Sequence, residues 1–393
     1  MQHPALRQFF ESSYAFLVLY FNLFKVRSSL TIILFLCVII AACSDEQDHS
    51  VSPSSEQTSF MHPAAQIDFV KKQLLEMNEP YQSAYLQMIK KANNALQDSH
   101  HALEDFSVPG YYQNPEGHMK NSLSLQTDAF NAYVCALAYR LEAGDQYGIK
   151  ACELLNAWAK INQKYSEYDG QLAMADAGSG MIIAAQLMSG SSLWKEGEVS
   201  LLDKWITNVY WKACNEIRNK KNNWADWGRF GSMLCAVYFD NKDEINENVR
   251  LIKSDLFHKI AADGSMPEET SREGKGIWYT YFSLAPMTAA CWLVYNSTGE
   301  NLFTWENNGV SLKTAIDYLC YYNQHPNEWK WYNNPETGPS NRWPGNLLEA
   351  MSGIYNDQDY IRFVQPDRPL MYPNHHFAWT FPTLMPLSLK GYH

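Results

Sequence analysis

Apolar residues recur along this chain with the period of a helix, and nowhere in a sustained strand-like alternation. Phe130, Val134, Leu137, Ala138 and Leu141 fall on one helical face, which Gly144-Asp145 closes. Ile149, Cys152, Leu155, Trp158 and Ala159 predict a second helix. The series continues through 181–188, 201–217, 224–239, 249–260, 278–295 and 312–322. The breaks between these segments are short, so successive helices should lie as antiparallel neighbours. The pattern predicts an all-α fold, a toroid or incomplete barrel of helical hairpins whose loops and helix ends surround one central cleft.

The N-terminus departs from this pattern. Lys25 and Arg27 precede an apolar run from Leu30 to Ile40, followed by Ala41-Ala42-Cys43. A short apolar stretch between basic and small residues reads as an export signal, too short to span a bilayer comfortably. It resembles a bacterial lipoprotein signal, with Cys43 as the lipidated residue. The acidic run after it resembles the tag of surface lipoproteins in Bacteroides-like bacteria. Residues 1–43 are therefore expected to be a leader and 44–60, polar and Ser-rich, a tether. Residues 61–393 should form a single domain, a monomer held to the outer membrane by its lipid.

Composition narrows the partners. The chain has 393 residues, 46% of them hydrophobic, which suffices for a large core. Its formal charge of −11 argues against nucleic acid as the main partner. It leaves room for a polyanionic sugar if basic residues gather in one cleft. Cys135, Cys152, Cys214, Cys235, Cys291 and Cys320 sit in apolar runs without CxxC spacing, and are expected to be buried free thiols. No metal-ligand spacing or cofactor motif is present.

The chemistry concentrates in two stretches. PEETSREGKGIWYTYFSLAP, residues 267–286, gathers Glu268, Glu269, Arg272, Lys275, Tyr279 and Tyr281 at the mouth of an apolar helix. Arg272 and Tyr279 are seven apart and would share a helical face, although Gly274 and Gly276 place Arg272 more naturally in the entering loop. KKNNWADWGRF, residues 220–230, offers Asn222 or Asn223 as an N-cap. The free N–H groups of such a helix start attract anions.

These residue types suit β-elimination from a polyuronate. The sugar carboxylate must be neutralised, the C5 proton removed, and a proton delivered to the departing O4. Arg and Asn can do the first. A tyrosine beside a cation can do the second, because positive charge favours its phenolate. Where C5–H and O4 share a ring face, as in mannuronate and glucuronate, one phenol can serve both steps. Composition alone equally allows ordinary amphipathic tyrosines and a plain cap followed by core tryptophans.

Taken together, the stretches resemble the alginate lyase family of α/α-toroid polysaccharide lyases. Those enzymes carry Asn-Asn-His-x-x-Trp and, downstream, an Arg followed seven residues later by Tyr. Here stand Asn222-Asn223-Trp224-Ala225-Asp226-Trp227, then Arg272 and Tyr279. ALAYRLEAGD, ELLNAWA, DGSMPEETSR and YFSLAPM match as well, so the similarity spans roughly residues 120 to 290. A weaker tail runs through NRWPGNLLEAM and FAWTFPTL. The resemblance implies Tyr279 as the catalytic phenol, and Asn223 with Arg272 as neutralisers of the uronate carboxylate. Glu269 falls where the family also has a Glu, to orient Arg272 or share a proton with the substrate. Lys120, beside Asn121, lies where the family places basic substrate contacts.

Trp224 departs from the family, which has a histidine there. It cannot titrate and offers one N–H donor, so Tyr279 would act alone or His375 or His376 would substitute, unless those two form a surface loop pair. Asn222, Trp224 and Arg342 join the expected substrate contacts. Trp227, Tyr281, Trp329, Trp331 and Trp343 are candidates for stacking on pyranose rings, no more than two of them in that role. Two rival readings remain. One is an inverting glycoside hydrolase with Asp176 and Glu269 as its carboxylates; the other is a non-catalytic surface glycan-binding lipoprotein.

Overall fold

The computed structural model describes residues 59–392. Helices α1 (Ala64–Leu75) and α2 (Tyr81–Ala95) lead into a long α3 (Pro115–Arg140). Then come α4 (Asp145–Ile161), α5 (Gly170–Met188) and α6 (Glu196–Trp205). A π-helical turn, Ile206–Tyr210, joins α6 to α7 (Trp211–Ile217). The chain continues through α8 (Asn223–Tyr238), α9 (Lys242–His258), the one-turn α10 (Pro267–Thr270) and α11 (Gly276–Thr298). It ends with α12 (Leu312–Gln324), α13 (Gly345–Tyr355) and α14 (Gln358–Val364) before an irregular C-terminal segment.

Burial sorts the helices into two layers. α3, α5, α8 and α11 pack side by side in that order and form the inner wall. Residues 173–188 of α5, 225–237 of α8 and 280–294 of α11 are buried without interruption, as expected of helices covered on every side. α4, α6 with α7, α9 and α12 pack against them from outside. Gly228 permits the close crossing of α7 and α8, since a Cβ there would lie 2.7 Å from the carbonyl oxygen of Cys214 and the amide nitrogen of Arg218. The alternation of inner and outer helices is the α/α toroid expected from the sequence.

The middle of the ring is filled. From the C-terminal segment, Phe377 stacks on Phe130 of α3 with ring centroids 6.4 Å apart, and its ring covers Gly180 of α5. Phe381 meets Tyr133 edge-on at 5.2 Å. The Trp379 indole donates to the Thr288 hydroxyl of α11 at 2.9 Å. One short segment thus touches three inner helices and plugs the space they enclose.

Several details depart from the periodicity. β1 (Asp105–Ser107) pairs in parallel with β2 (Lys164–Ser166), and β3 (Glu306–Asn307) pairs antiparallel with β4 (Val310–Ser311). Strands of two or three residues are too short to display an alternating pattern. Pro286 lies inside α11 without ending it. Ser59 and Phe60, assigned by sequence to the tether, already belong to the domain: Ser59 is buried and donates to Gln186, and the Phe60 carbonyl accepts from Asn296. The expected leader, Cys43 and the rest of the tether lie outside the described residues. Among the described residues no helix is long and apolar enough to cross a membrane. The six cysteines from Cys135 onward are free and buried.

Candidate active site

The inner helices bring their N-terminal ends to one face, and a closed circuit of contacts links them. Ahead of α3, the Tyr111 N–H donates to the Asp169 carboxylate, which precedes α5, at 2.7 Å. The Tyr168 ring meets Trp224, in the first turn of α8, edge-on at 5.9 Å. Asn223 opens α8 and binds Glu269 of α10 twice, its N–H donating to Oε1 at 2.6 Å and its Nδ2 to Oε2 at 2.8 Å. Tyr279, in the first turn of α11, shares a 2.8 Å hydrogen bond with Tyr112, next to Tyr111. Four helix starts concentrate partial positive charge on this face, so it favours an anion despite the acidic chain.

Cations sit on the same circuit. The Arg272 guanidinium carbon lies 5.0 Å above the Tyr279 ring. Lys275 donates to the Tyr111 hydroxyl at 2.9 Å, and the Lys220 ammonium lies 3.7 Å over the Trp224 ring. Gly276 lets the Arg272 loop turn into α11, because a Cβ there would come within 2.6 Å of the Thr270 carbonyl oxygen and 2.8 Å of Trp329. Asn222, with its side chain accepting from the Trp224 N–H, is the cap of α8; Asn223 is its first helical residue.

The floor comes from the C-terminal plug. His375 stacks flat on Phe282 at 5.5 Å and on Trp278 at 5.9 Å. His376 is fully buried, accepts or donates to the Tyr281 hydroxyl at 2.9 Å and packs on Trp227 at 4.9 Å. The pair is therefore a structural floor and not a surface loop. Burial holds His375 down to about 4 and His376 well below the ordinary histidine value. Both are neutral at physiological pH.

Two groups on the circuit have perturbed ionisation. Burial pushes Glu269, 1% exposed, up to about 7 against the two Asn223 hydrogen bonds and the Arg272 charge, with Asp226 adding to the rise. Burial also raises the Tyr279 phenol well above its ordinary value; the Tyr112 hydrogen bond adds to this, and Arg272 only partly opposes it. This overturns the expectation of a phenol made acidic by its guanidinium neighbour. Arg272 lies over the ring face, and its guanidinium N–H donates to the Glu268 carbonyl at 3.3 Å.

Other expected contacts are placed differently. Trp227 and Tyr281 are fully buried, packed by Phe282, His376 and Trp343, and have no face to offer a sugar. Trp329 and Trp343 are likewise buried, whereas Trp331 is 40% exposed. Lys120 is exposed two residues beyond His118 on α3, and Arg342 is exposed near Tyr372, whose ionisation it influences. Asp176 is buried within α5, where burial raises its carboxyl well above the ordinary range. A carboxyl closed into the interior there cannot flank a sugar bond with Glu269.

Sequence reading missed Tyr111, Tyr112, His118, Tyr168 and Asp169. His118, in the first turn of α3, lies with Nδ1 3.1 Å from the Asp169 carboxylate and from the Pro109 carbonyl oxygen. These residues stand outside the periodic runs, just before or after an inner helix begins. That position, shared with Asn222 and Arg272, is the signal that could have found them.

Comparison with known proteins identifies the family and the fold. The family model described as alginate lyase matches residues 72–329. None of the curated proteins compared matches the chain. Among solved structures, alginate lyase A1-III from Sphingomonas species A1 superposes with a TM-score of 0.67 at 13% identity, covering 85% of this chain and 99% of that one. A tyrosine-to-phenylalanine variant of A1-III complexed with tetrasaccharide gives 0.67 at 14% identity, covering 86% and 100%. An alginate lyase from Bacteroides ovatus gives 0.64 at 18%, covering 84% and 98%. The structural likenesses speak for the fold, and the family match over more than half of the sequence says the rest: this chain belongs to the alginate lyase family and is a polysaccharide lyase.

Proposed function

We propose that this lyase cleaves a 1,4-linked polyuronate, polymannuronate or glucuronan, by β-elimination, leaving a 4,5-unsaturated uronate end. The observation that carries this reading is the meeting of Asn223, Glu269, Arg272 and Tyr279 at adjoining inner-helix starts. The substrate carboxylate sits at the α8 start, where the positive end of the helix dipole, Asn223 and Arg272 offset its charge. With that charge masked, the C5 proton becomes acidic enough to leave. Tyr279 takes it as phenolate and returns a proton to O4. Its hydroxyl exchanges Tyr112 for the sugar when substrate binds.

Tyr279 has to ionise from a phenol that burial raises above its ordinary value, so kcat at saturating substrate is expected to rise towards alkaline pH. Arg272→Ala is expected to raise KM roughly tenfold and lower kcat about 100-fold, since the cation favours both the bound carboxylate and the phenolate. Steady-state kinetics on the variant check this, and unchanged constants would remove Arg272 from the reaction. The chain acts from the cell envelope as a lipid-anchored enzyme, a reading supported by the sequence around Cys43.

The decisive experiment is a screen of purified protein against polymannuronate, polyguluronate, glucuronan and hyaluronan, following ultraviolet absorbance. A conjugated product from polymannuronate or glucuronan is expected. Chain shortening without absorbance would mean a hydrolase, and binding without shortening a glycan-binding protein.

A further inference from the structure

The amide of Asn223 is committed on one side only. Its Nδ2 donates to Glu269, while its Oδ1 is buried and has no partner. An acceptor left bare in the interior is costly. It is also the wrong atom to meet a carboxylate, since two acceptors repel. Yet a uronate carboxylate is the ligand that the proposed function, on which this inference rests, brings to the α8 start.

The conflict disappears if the amide turns over. Glu269 holds the Asn223 backbone N–H on Oε1 and the side chain on Oε2. A proton on Oε2 converts that oxygen from acceptor to donor, and it then requires Oδ1 opposite it. Asn223 rotates half a turn about its Cβ–Cγ axis, Oδ1 accepts from the carboxyl, and Nδ2 becomes the free atom. The backbone bond to Oε1 is untouched, so helix α8 keeps its start. The bare acceptor has become a bare donor, matched to an anion.

We infer that Glu269 is a positioning residue that takes up one proton when a uronate binds, and that this proton sets the direction of the Asn223 amide. The proton enters from solvent onto Glu269 Oε2 and leaves on product release, and no other bond is made or broken. The charged and titratable groups facing Glu269 are Asp226 from α8, Lys259 beyond α9, Arg272 from its own loop and Tyr279 from α11. Burial and Asp226 favour the proton, while the Asn223 hydrogen bonds and Arg272 oppose it; uptake on binding vanishes at low pH because Glu269 is then already protonated. With its carboxyl near 7, Glu269 is half loaded in the free enzyme at neutral pH.

Calorimetry of mannuronate and glucuronate tetrasaccharides binding to the Tyr279→Phe protein, which lacks turnover, tests this. The same titration is run in buffers of different ionisation enthalpy. Near pH 8.5, uptake of close to one proton per ligand is expected. Affinity should fall about tenfold per pH unit above 7, roughly 100-fold by pH 9. Glu269→Gln in the same background carries a permanent donor towards Asn223. It should bind with no proton uptake and with affinity constant within about twofold from pH 6 to 9. Tight binding of the parent protein without proton uptake overturns the inference and leaves the lyase reading standing, even if the Gln variant fails to fold. Failure of both tetrasaccharides to bind at pH 6 overturns the proposed polyuronate substrate, and this inference with it.

Discussion

Tyr279→Phe is expected to lower kcat by about 10³- to 10⁴-fold while changing the affinity for polyuronate less than threefold. Proton transfer by a positioned side chain contributes on the order of 10²–10⁴, and here one hydroxyl is asked to act in both directions. A loss of 10³ corresponds to about 4 kcal/mol of barrier. Affinity should survive because the ring keeps its place: Trp278 meets it edge-on at 4.8 Å and Arg272 covers its face. Only the hydrogen bond to Tyr112 is lost, and the substrate must displace that bond anyway. Product absorbance gives kcat, and equilibrium titration gives affinity. A Phe variant retaining a tenth of the activity would take Tyr279 out of the chemistry.

The second large effect concerns folding. Beneath the α8 start lies a buried charge network. Lys259 donates to Asp226 at 2.6 Å, pairs with Asp255 at 3.1 Å and reaches the Asn222 carbonyl at 3.3 Å. Asp226 also accepts from Ser283 of α11, and Arg229 pairs with Asp255. Burial pulls Lys259 below its ordinary value, and Asp226 is the first partner restoring its charge. Asp226→Ala leaves this ammonium short of one counter-charge in a closed interior, a loss of about 3–5 kcal/mol. Denaturant unfolding should show the midpoint falling with little change in slope. A variant as stable as the parent would mean that Asp255 alone satisfies Lys259. Asp226→Ala should also lower activity, because Lys259 steadies the cap that aims Asn223.

The layered fold was legible because a toroid repeats one decision, helix against helix, and the 3.6-residue period records it. Of the inner helices, buried all round, α5 was legible only in its second half, 181–188 of Gly170–Met188, because its small-residue first half shows no contrast between faces. The site was legible in part, where a short motif carries several roles at once. Asn222-Asn223 and Arg272 with Tyr279 stood out for that reason, and the structure brings them together. The stacking candidates fared otherwise: Trp227 and Tyr281 are interior residues, since an aromatic next to a cleft motif reads the same whether it faces in or out. Tyr112 and Asp169 were missed because only their place beside a helix start marks them in the sequence, while their proximity to the site comes from helix starts distant in sequence meeting in space. The ionisation of Tyr279 was misread for a related reason. Spacing reveals that a guanidinium is near, but not whether it meets the oxygen or the ring, nor how much water is excluded.

The C-terminal plug carries a consequence for biosynthesis. During translation the inner helices emerge in order, each able to pack on the last, and the wall is complete when α11 has left the ribosome. The floor is then still unmade, because Phe377, Trp379 and their neighbours come later in the chain than every inner helix. A chain stopped before Phe377 would lack its floor while keeping every acid, base and cation of its catalytic motifs. It would expose the apolar lumen that Phe377 and Phe381 normally fill, and it would be marked for aggregation or degradation before it met a substrate.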